Sequence, residues 1–295
     1  MSFGLGHGKP LDPAPGVVGV SDDELGPLPD DIVANPESGR VDPRAWFEEP
    51  GRPFELEIGS GKGTFLVQQA ELEPGTNFLG IEWAGEFYAY AADRVRRRRP
   101  AGKLANVRLL HADAAEFLRW RCPDGVCRVI HLYFSDPWPK ARHHKKRVIQ
   151  HRFLAEAWRV LEPGGELRVV TDHDELWVWD MAHFEQWVGG GAVETATPSP
   201  RTEGVDRGEA ARLHGTQMGT FIDADALARA RASLPEMPDV VRVMRQHMPD
   251  PPFELLAFDR PESAGSGEIV GTNFERKFRV EGRSFHAGVL RKRAR

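Results

Sequence analysis

Between residues 53 and 171 short apolar runs alternate with longer amphipathic stretches, and that rhythm is the strongest constraint on what this chain can fold into. Strands are expected at 53–58, 77–82, 106–110, 128–134 and 166–171. Helices are expected near 64–72, 84–98, 114–121, 148–160 and 175–188. Such alternation implies parallel strands joined by right-handed crossovers, with helices covering both faces of the sheet. The fold class is therefore α/β, with a doubly wound, mostly parallel sheet. Two further strands are expected at 273–280 and 284–291, around Gly282, as a C-terminal antiparallel hairpin on the sheet edge. They bring the total to seven.

The flanks read differently. Residues 1–45 hold seven prolines, seven glycines and eight acids against three bases, so they are expected to form a flexible acidic extension. The folded domain is expected over 46–295, with an insertion at about 195–265. There a run of three glycines from Gly189 and eight prolines interrupt the rhythm around one expected helix near 223–232.

Composition excludes several classes. A chain of 295 residues with 40% hydrophobic content can bury a core without covalent staples. Its two cysteines, Cys122 and Cys127, rule out a disulfide framework or a four-cysteine zinc site. No apolar run approaches the roughly 18 residues of a membrane span. The first residues lack a signal-peptide pattern. A cytoplasmic protein is expected, without a membrane partner.

Net charge is −5, which by itself points away from nucleic acid. Its distribution points the other way. Residues 90–99 carry +4, residues 140–152 carry +6 and the last 20 residues carry +7, leaving −22 for the rest. Three such runs brought together would make a basic face on an acidic body, whereas apart they are solvated runs.

Five acids stand at or just past expected strand ends: Glu57, Glu82, Asp113, Asp136 and Asp172. In a doubly wound sheet ligands bind outside the carboxyl ends of the strands. Glu57 precedes Gly59-Ser60-Gly61-Lys62-Gly63, where glycines allow a tight turn and close approach to a ligand. The third glycine comes one residue early for a dinucleotide fingerprint, and a phosphate-loop pattern is absent. An acid beside the turn suits a cationic nucleoside, and S-adenosylmethionine fits. Glu82 at the next strand end can accept both ribose hydroxyls. Asp113 can contact an adenine edge or cap the following helix.

After the fourth strand comes Asp136-Pro137-Trp138-Pro139-Lys140-Ala141-Arg142-His143-His144-Lys145-Lys146-Arg147. Two prolines stiffen the loop, Trp138 offers a stacking face, Asp136 an acceptor for a purine edge, and the cations can hold phosphates. The cysteines have no evident base beside them, and Asp172-His173-Asp174 is read as a helix cap, so neither covalent catalysis nor a metal is expected.

This stretch resembles the signature of the tRNA (guanine-N7-)-methyltransferase family. Glu57-Ile58-Gly59-x-Gly61, Gly80-Ile81-Glu82, His111-x-Asp113-Ala114, Thr171-Asp172 and Thr272-Asn273-Phe274-Glu275 match it in order. The resemblance covers roughly half the chain. It implies the seven-stranded class I S-adenosylmethionine-dependent methyltransferase fold, with transfer of a methyl group to N7 of a guanosine in the tRNA variable loop, commonly position 46. It also implies Asp136 as the active-site residue and Glu57, Gly59, Gly61, Glu82, Asp113 and Asp136 around S-adenosylmethionine. Lys140, Asp172, Thr272, Asn273, Phe274 and Glu275 would bind substrate. Trp138, Arg142, His143, Lys145, Lys146 and Arg147 would contact tRNA, in a monomer or homodimer. Asn273 departs from the family's usual lysine. The competing readings are methylation of another nucleic-acid or protein amine, and a catalytically inactive RNA-binding homologue.

Overall fold

A computed structural model describes residues 10–189 and 224–294. Its strands are β1 (Phe54–Ile58), β2 (Asn77–Glu82), β3 (Val107–His111), β4 (Cys127–Tyr133), β5 (Leu161–Thr171), β6 (Phe253–Leu256) and β7 (His286–Lys292). They form one sheet in the order β3-β2-β1-β4-β5-β7-β6. The pairs among β1 to β5 are parallel, and β7 runs antiparallel to both β5 and β6. The order reverses direction between β1 and β4, which opens a crevice at their carboxyl ends.

The helices in chain order are α1 (Asp22–Leu25), α2 (Thr64–Leu72), α3 (Gly85–Arg96), α4 (Ala114–Trp120), α5 (His151–Val160), α6 (Asp174–Val188), α7 (Ala224–Ser233), α8 (Asp239–Arg245) and α9 (Asn273–Val280). Leu66, Val67, Ala91 and Val95 of α2 and α3 pack with Phe78 and Leu109. Phe117, Leu118, Phe153 and Leu154 of α4 and α5 pack with Leu56, Ile58, Leu79 and Ile130. The sheet is thus covered on both faces, so its central strands are buried almost throughout, and the polar Glu55 among them is paired inside with Arg128 and His131.

The C-terminal expectation needs one correction. The antiparallel strand is present at β7, but residues 273–280 form α9 and no hairpin. Phe274 and Phe278 stand four apart and meet on one side of the helix, with ring centroids 6.1 Å apart. Thr272 caps the first turn by accepting from the Glu275 N–H at 3.0 Å. Helical spacing and a cap outweigh local strand propensity here. The second antiparallel partner of β7 is β6, a four-residue strand that its flanking prolines concealed. Of the expected insertion, the part before residue 224 lies outside the described residues. The helix expected near 223–232 is α7, packed against α6 and tied to it by the Arg231–Glu185 ion pair.

The segment expected as a flexible extension has no core of its own, yet residues 10–45 have a definite place. The Val20 N–H donates to the Leu109 carbonyl at 2.8 Å, and the Leu109 N–H donates to Val18 at 2.9 Å. Arg108 donates to the carbonyls of Trp46 (2.9 Å) and Gly19 (3.2 Å) and pairs with Glu24. Arg121 reaches the carbonyls of Leu25, Gly26 and Pro27. This strap covers the free edge of β3, where unpaired backbone groups would otherwise face outward. No helix among the described residues is long and apolar enough to cross a membrane.

Candidate active site

The crevice at the carboxyl ends of β1 and β4 is a cavity lined by Glu57, Gly59, Ser60, Gly61, Lys62, Thr64, Phe65, Phe87, Tyr133, Phe134, Thr272, Asn273, Phe274 and Lys277. Its floor is the turn after β1. Gly59, Gly61 and Gly63 all have positive φ, at 72°, 54° and 66°. A side chain on any of them would be strained. Glu82 fixes that turn: one carboxylate oxygen accepts from the Gly61 N–H at 2.7 Å and the other from the Ala84 N–H at 2.8 Å. A carboxylate has about four acceptor positions, so two remain for a ligand.

Glu57 is the group whose state is most unusual. It is buried at the end of β1, and its Oε2 has no hydrogen-bond partner among the described residues. Burial, reinforced by the nearby charge of Glu82, holds its carboxyl well above the ordinary range. An unsatisfied carboxyl facing a cavity is costly in the free protein and is relieved by a cationic or proton-donating ligand.

The opposite wall is the loop after β4. Phe134 and Trp138 have positive φ, at 56° and 42°, which is uncommon outside glycine. Phe134 is held by its N–H to the Val170 carbonyl at 2.7 Å and packs edge-on against Phe285. Asp136 lies two residues beyond it, exposed, and is not among the lining residues. The half-buried Trp138 has the His143 ring edge-on at 5.8 Å and the Lys146 ammonium 4.6 Å above its ring. Lys140, Arg142, Lys145 and Lys146 are exposed, with no acidic partner among the described residues.

The remaining expected residues divide. Thr272, Asn273 and Phe274 line the cavity from the start of α9, bringing the late motif beside the glycine turn. Asp113 is exposed and caps α4, accepting from the Ala115 and Glu116 N–H groups through Oδ1. Asp172 is engaged by Arg283 at 2.6 Å, and the residue capping α6 is His173.

Two of the expected contact residues are buried. Glu275 is fully buried and accepts from the N–H groups of Ile269, Val270 (2.9 Å) and Gly271 (2.8 Å) and from Arg279 (2.9 Å). It clamps the loop before α9, with both carboxylate oxygens engaged within the chain. Arg147, taken as an RNA contact, is also buried; it donates to the Pro137 carbonyl at 2.9 Å and to Glu175 at 2.8 Å. Sequence reasoning missed Lys62, Phe87 and Tyr133. Lys62 sits inside the glycine motif, its ammonium 5.3 Å from the Tyr90 ring centroid. Phe87 opens α3 five residues after Glu82, and Tyr133 directly precedes Phe134. Those placements were the available signals.

Both cysteines are buried thiols. Burial pushes Cys122 up to about 12 and Cys127 well above its ordinary value, so neither is a nucleophile at neutral pH. The described residues hold no cluster suited to a metal ion.

Sheet order, glycine turn and acid-tipped strands together define a Rossmann-like α/β methyltransferase. Residues 51–197 match a family model described as a putative methyltransferase. The chain is 35% identical over 167 residues to the tRNA (guanine-N(7)-)-methyltransferase of Geobacillus thermodenitrificans, covering 56% of this chain and 74% of that protein. Against the proteins of the same name from Corynebacterium diphtheriae and Corynebacterium glutamicum it is 37% and 41% identical. Those matches span 52% and 51% of this chain but only 58% and 60% of the corynebacterial proteins. The chain belongs to the tRNA (guanine-N7-)-methyltransferase family. Among solved structures, the 16S rRNA methyltransferase KamB aligns over 94% of this chain and 97% of its own, with a TM-score of 0.44 and 15% identity.

Proposed function

We propose that this chain transfers a methyl group from S-adenosylmethionine to N7 of a guanosine in tRNA, in the variable loop at the position conventionally numbered 46. With tRNA as substrate it works in the cytoplasm. The observation that carries the reading is the pairing of two unlike walls. A buried carboxyl with one unpartnered oxygen, Glu57, meets a glycine turn pinned by Glu82 on one side; the loop after β4, bearing Asp136 and four cations with no acidic partner among the described residues, stands on the other.

The residues fit the donor. Glu57 Oε2 is an orphaned acceptor in the cavity, Glu82 retains two acceptor positions, and the turn is glycine wherever a Cβ would strain it. S-adenosylmethionine supplies an electrophilic methyl group on a cationic sulfur. Glu57 and Glu82 supply the negative counterpart that selects a cationic nucleoside. Phe87, Tyr133 and Phe134 exclude water around it.

Guanine N7 carries an exposed lone pair, so the chain needs no general base. Methylation makes the purine cationic, and Asp136 offers a carboxylate to that developing charge. Lys140, Arg142, Lys145 and Lys146 neutralise phosphates and hold the acceptor in place, which brings orientation as a rate factor. The decisive experiment incubates the protein with methyl-labelled donor and bulk tRNA, followed by borohydride–aniline scission. Cleavage in the variable loop is expected. Label on another atom, or on no RNA, rejects the reading.

A further inference from the structure

Arg147 closes the basic stretch after β4, and its neighbours Lys145 and Lys146 are exposed. Its own guanidinium is not, with only 1% of the side chain accessible. Nε donates to the Pro137 carbonyl at 2.9 Å, while a terminal nitrogen donates to Glu175 at 2.8 Å. The guanidinium carbon lies 5.2 Å from the ring centroid of Trp179, a residue whose indole N–H holds the Ile149 carbonyl at 2.8 Å. Glu175 and Trp179 stand one turn apart on α6. The fork of one arginine thus joins α6 to the peptide immediately after Asp136.

That peptide needs holding. Trp138 follows it with φ of 42°, a conformation that persists only where the surroundings over-determine it. The loop is exposed at Asp136, Pro139 and Lys140, so little packing restrains it from outside. The Arg147 bond to Pro137 supplies a restraint from beneath, and a planar guanidinium can address a carbonyl and a carboxylate together where an ammonium cannot.

Resting on the methyl-transfer reading above, we infer that Arg147 is a positioning residue: it locks the Asp136–Lys140 loop onto α6 in the geometry that transfer requires, and it makes no phosphate contact. A burial-locked guanidinium cannot release counterions from RNA. Its contribution is to alignment, where displacement on the order of 1 Å costs about 10²-fold in rate.

The test measures kcat and KM for tRNA over a salt series in wild type, Arg147→Ala, Arg147→Lys and Glu175→Gln. Arg147→Ala is expected to lower kcat about 10²-fold, with KM and the salt slope of tRNA binding changed by no more than in Lys140→Ala, whose phosphate contact rides on the same loop. Arg147→Lys keeps the charge but loses the fork, and is expected to lose at least about tenfold in kcat. Glu175→Gln, at a half-exposed side chain, folds in any case and is expected to show a smaller loss in kcat alone. Should Arg147→Ala fail to fold, the other two variants decide. Wild-type kcat in Arg147→Lys and Glu175→Gln, or a salt slope shallower by about one with kcat as in wild type in an Arg147 variant, overturns the inference. Failure of the wild type to methylate tRNA at guanine N7 overturns instead the reading on which it rests.

Discussion

Arg94 to Arg99 along the end of α3 and Lys140 to Lys146 on the loop after β4 are both strongly basic, yet their charges meet different partners. Arg96 and Arg97 grip the buried Asp93 at 2.7 and 3.0 Å, Arg98 approaches Glu71 at 3.8 Å, and Arg99 donates to the Val107 carbonyl. The C-terminal run follows the same habit: Arg276 meets Glu268, Arg279 meets Glu275, Arg283 meets Asp172, and Arg291 meets Glu166. On the β4 loop Lys140, Arg142, Lys145 and Lys146 stay outside, with no acid beside them among the described residues. The carboxylates divide in parallel, with Glu275 saturated in the interior and Asp136 exposed. A charge engaged within its own chain builds the scaffold, whereas one without an acid beside it is open to an anionic ligand.

The largest way to break that division is at Glu275. Its replacement by Ala removes a buried carboxylate from three backbone N–H groups and an arginine, and should cost roughly 3–5 kcal/mol of stability by denaturant melts. Activity should fall only as the folded fraction falls. A stable Glu275→Ala protein with weakened tRNA binding would place it back among the substrate contacts.

Asp136→Ala should do the reverse, reducing turnover about 10²–10³-fold while the melting temperature stays put. Equal turnover would remove Asp136 from the chemistry.

Glu57 sharpens the comparison because it is buried but unsatisfied. Its folded-state pKa is raised, so the folded protein binds this proton more tightly than the unfolded chain. The stability that the proton contributes is fully present below the ordinary carboxylate range and is lost as pH rises through the raised value. Glu57→Gln should therefore melt about 2–4 °C above wild type at pH 8, with the difference vanishing near pH 4. Donor affinity should fall about 10–100-fold, read by calorimetry. A variant that melts lower at pH 8 would mean Glu57 is satisfied in the free protein.

The smallest effects belong to single surface cations. Lys140→Ala should weaken tRNA binding a few-fold and reduce the salt slope by about one, whereas Arg96→Ala and Arg97→Ala should leave the slope unchanged. A reduced slope in the latter pair would erase the distinction between the two runs.

Much of this was legible in the sequence. The central strands and α2 to α6 follow from apolar periodicity and turn residues, and Glu57, Gly59, Gly61 and Glu82 follow from their places at strand ends. What the sequence did not show shares a physical cause. Residues 273–280 carry only Phe274, Phe278 and Val280 as strand formers among helix-favouring Glu, Arg and Lys, and the Thr272 cap and the pairing of Phe274 with Phe278 settle them as a helix. Glu275 and Arg147 sit inside recognisable motifs, and motif position says nothing about which way a side chain turns. Tyr133 and Lys62 enter the cavity only because β4 and the glycine turn are brought side by side, an adjacency set by sheet order and absent from local pattern.

The strap over β3 has a consequence for sequence drift. Arg108 and Arg121 take hold of it mainly through main-chain carbonyls, at Gly19, Leu25, Gly26, Pro27 and Trp46, and β3 reaches it through the backbone of Val18 and Val20. Carbonyls are offered by every residue type. Its lettering can therefore drift where only the main chain is held, but not at Gly19 or Gly39, where an added Cβ would meet Tyr88 or the Trp120 carbonyl, nor at Glu24 and Arg40, whose side chains hold Arg108 and the Arg119 carbonyl.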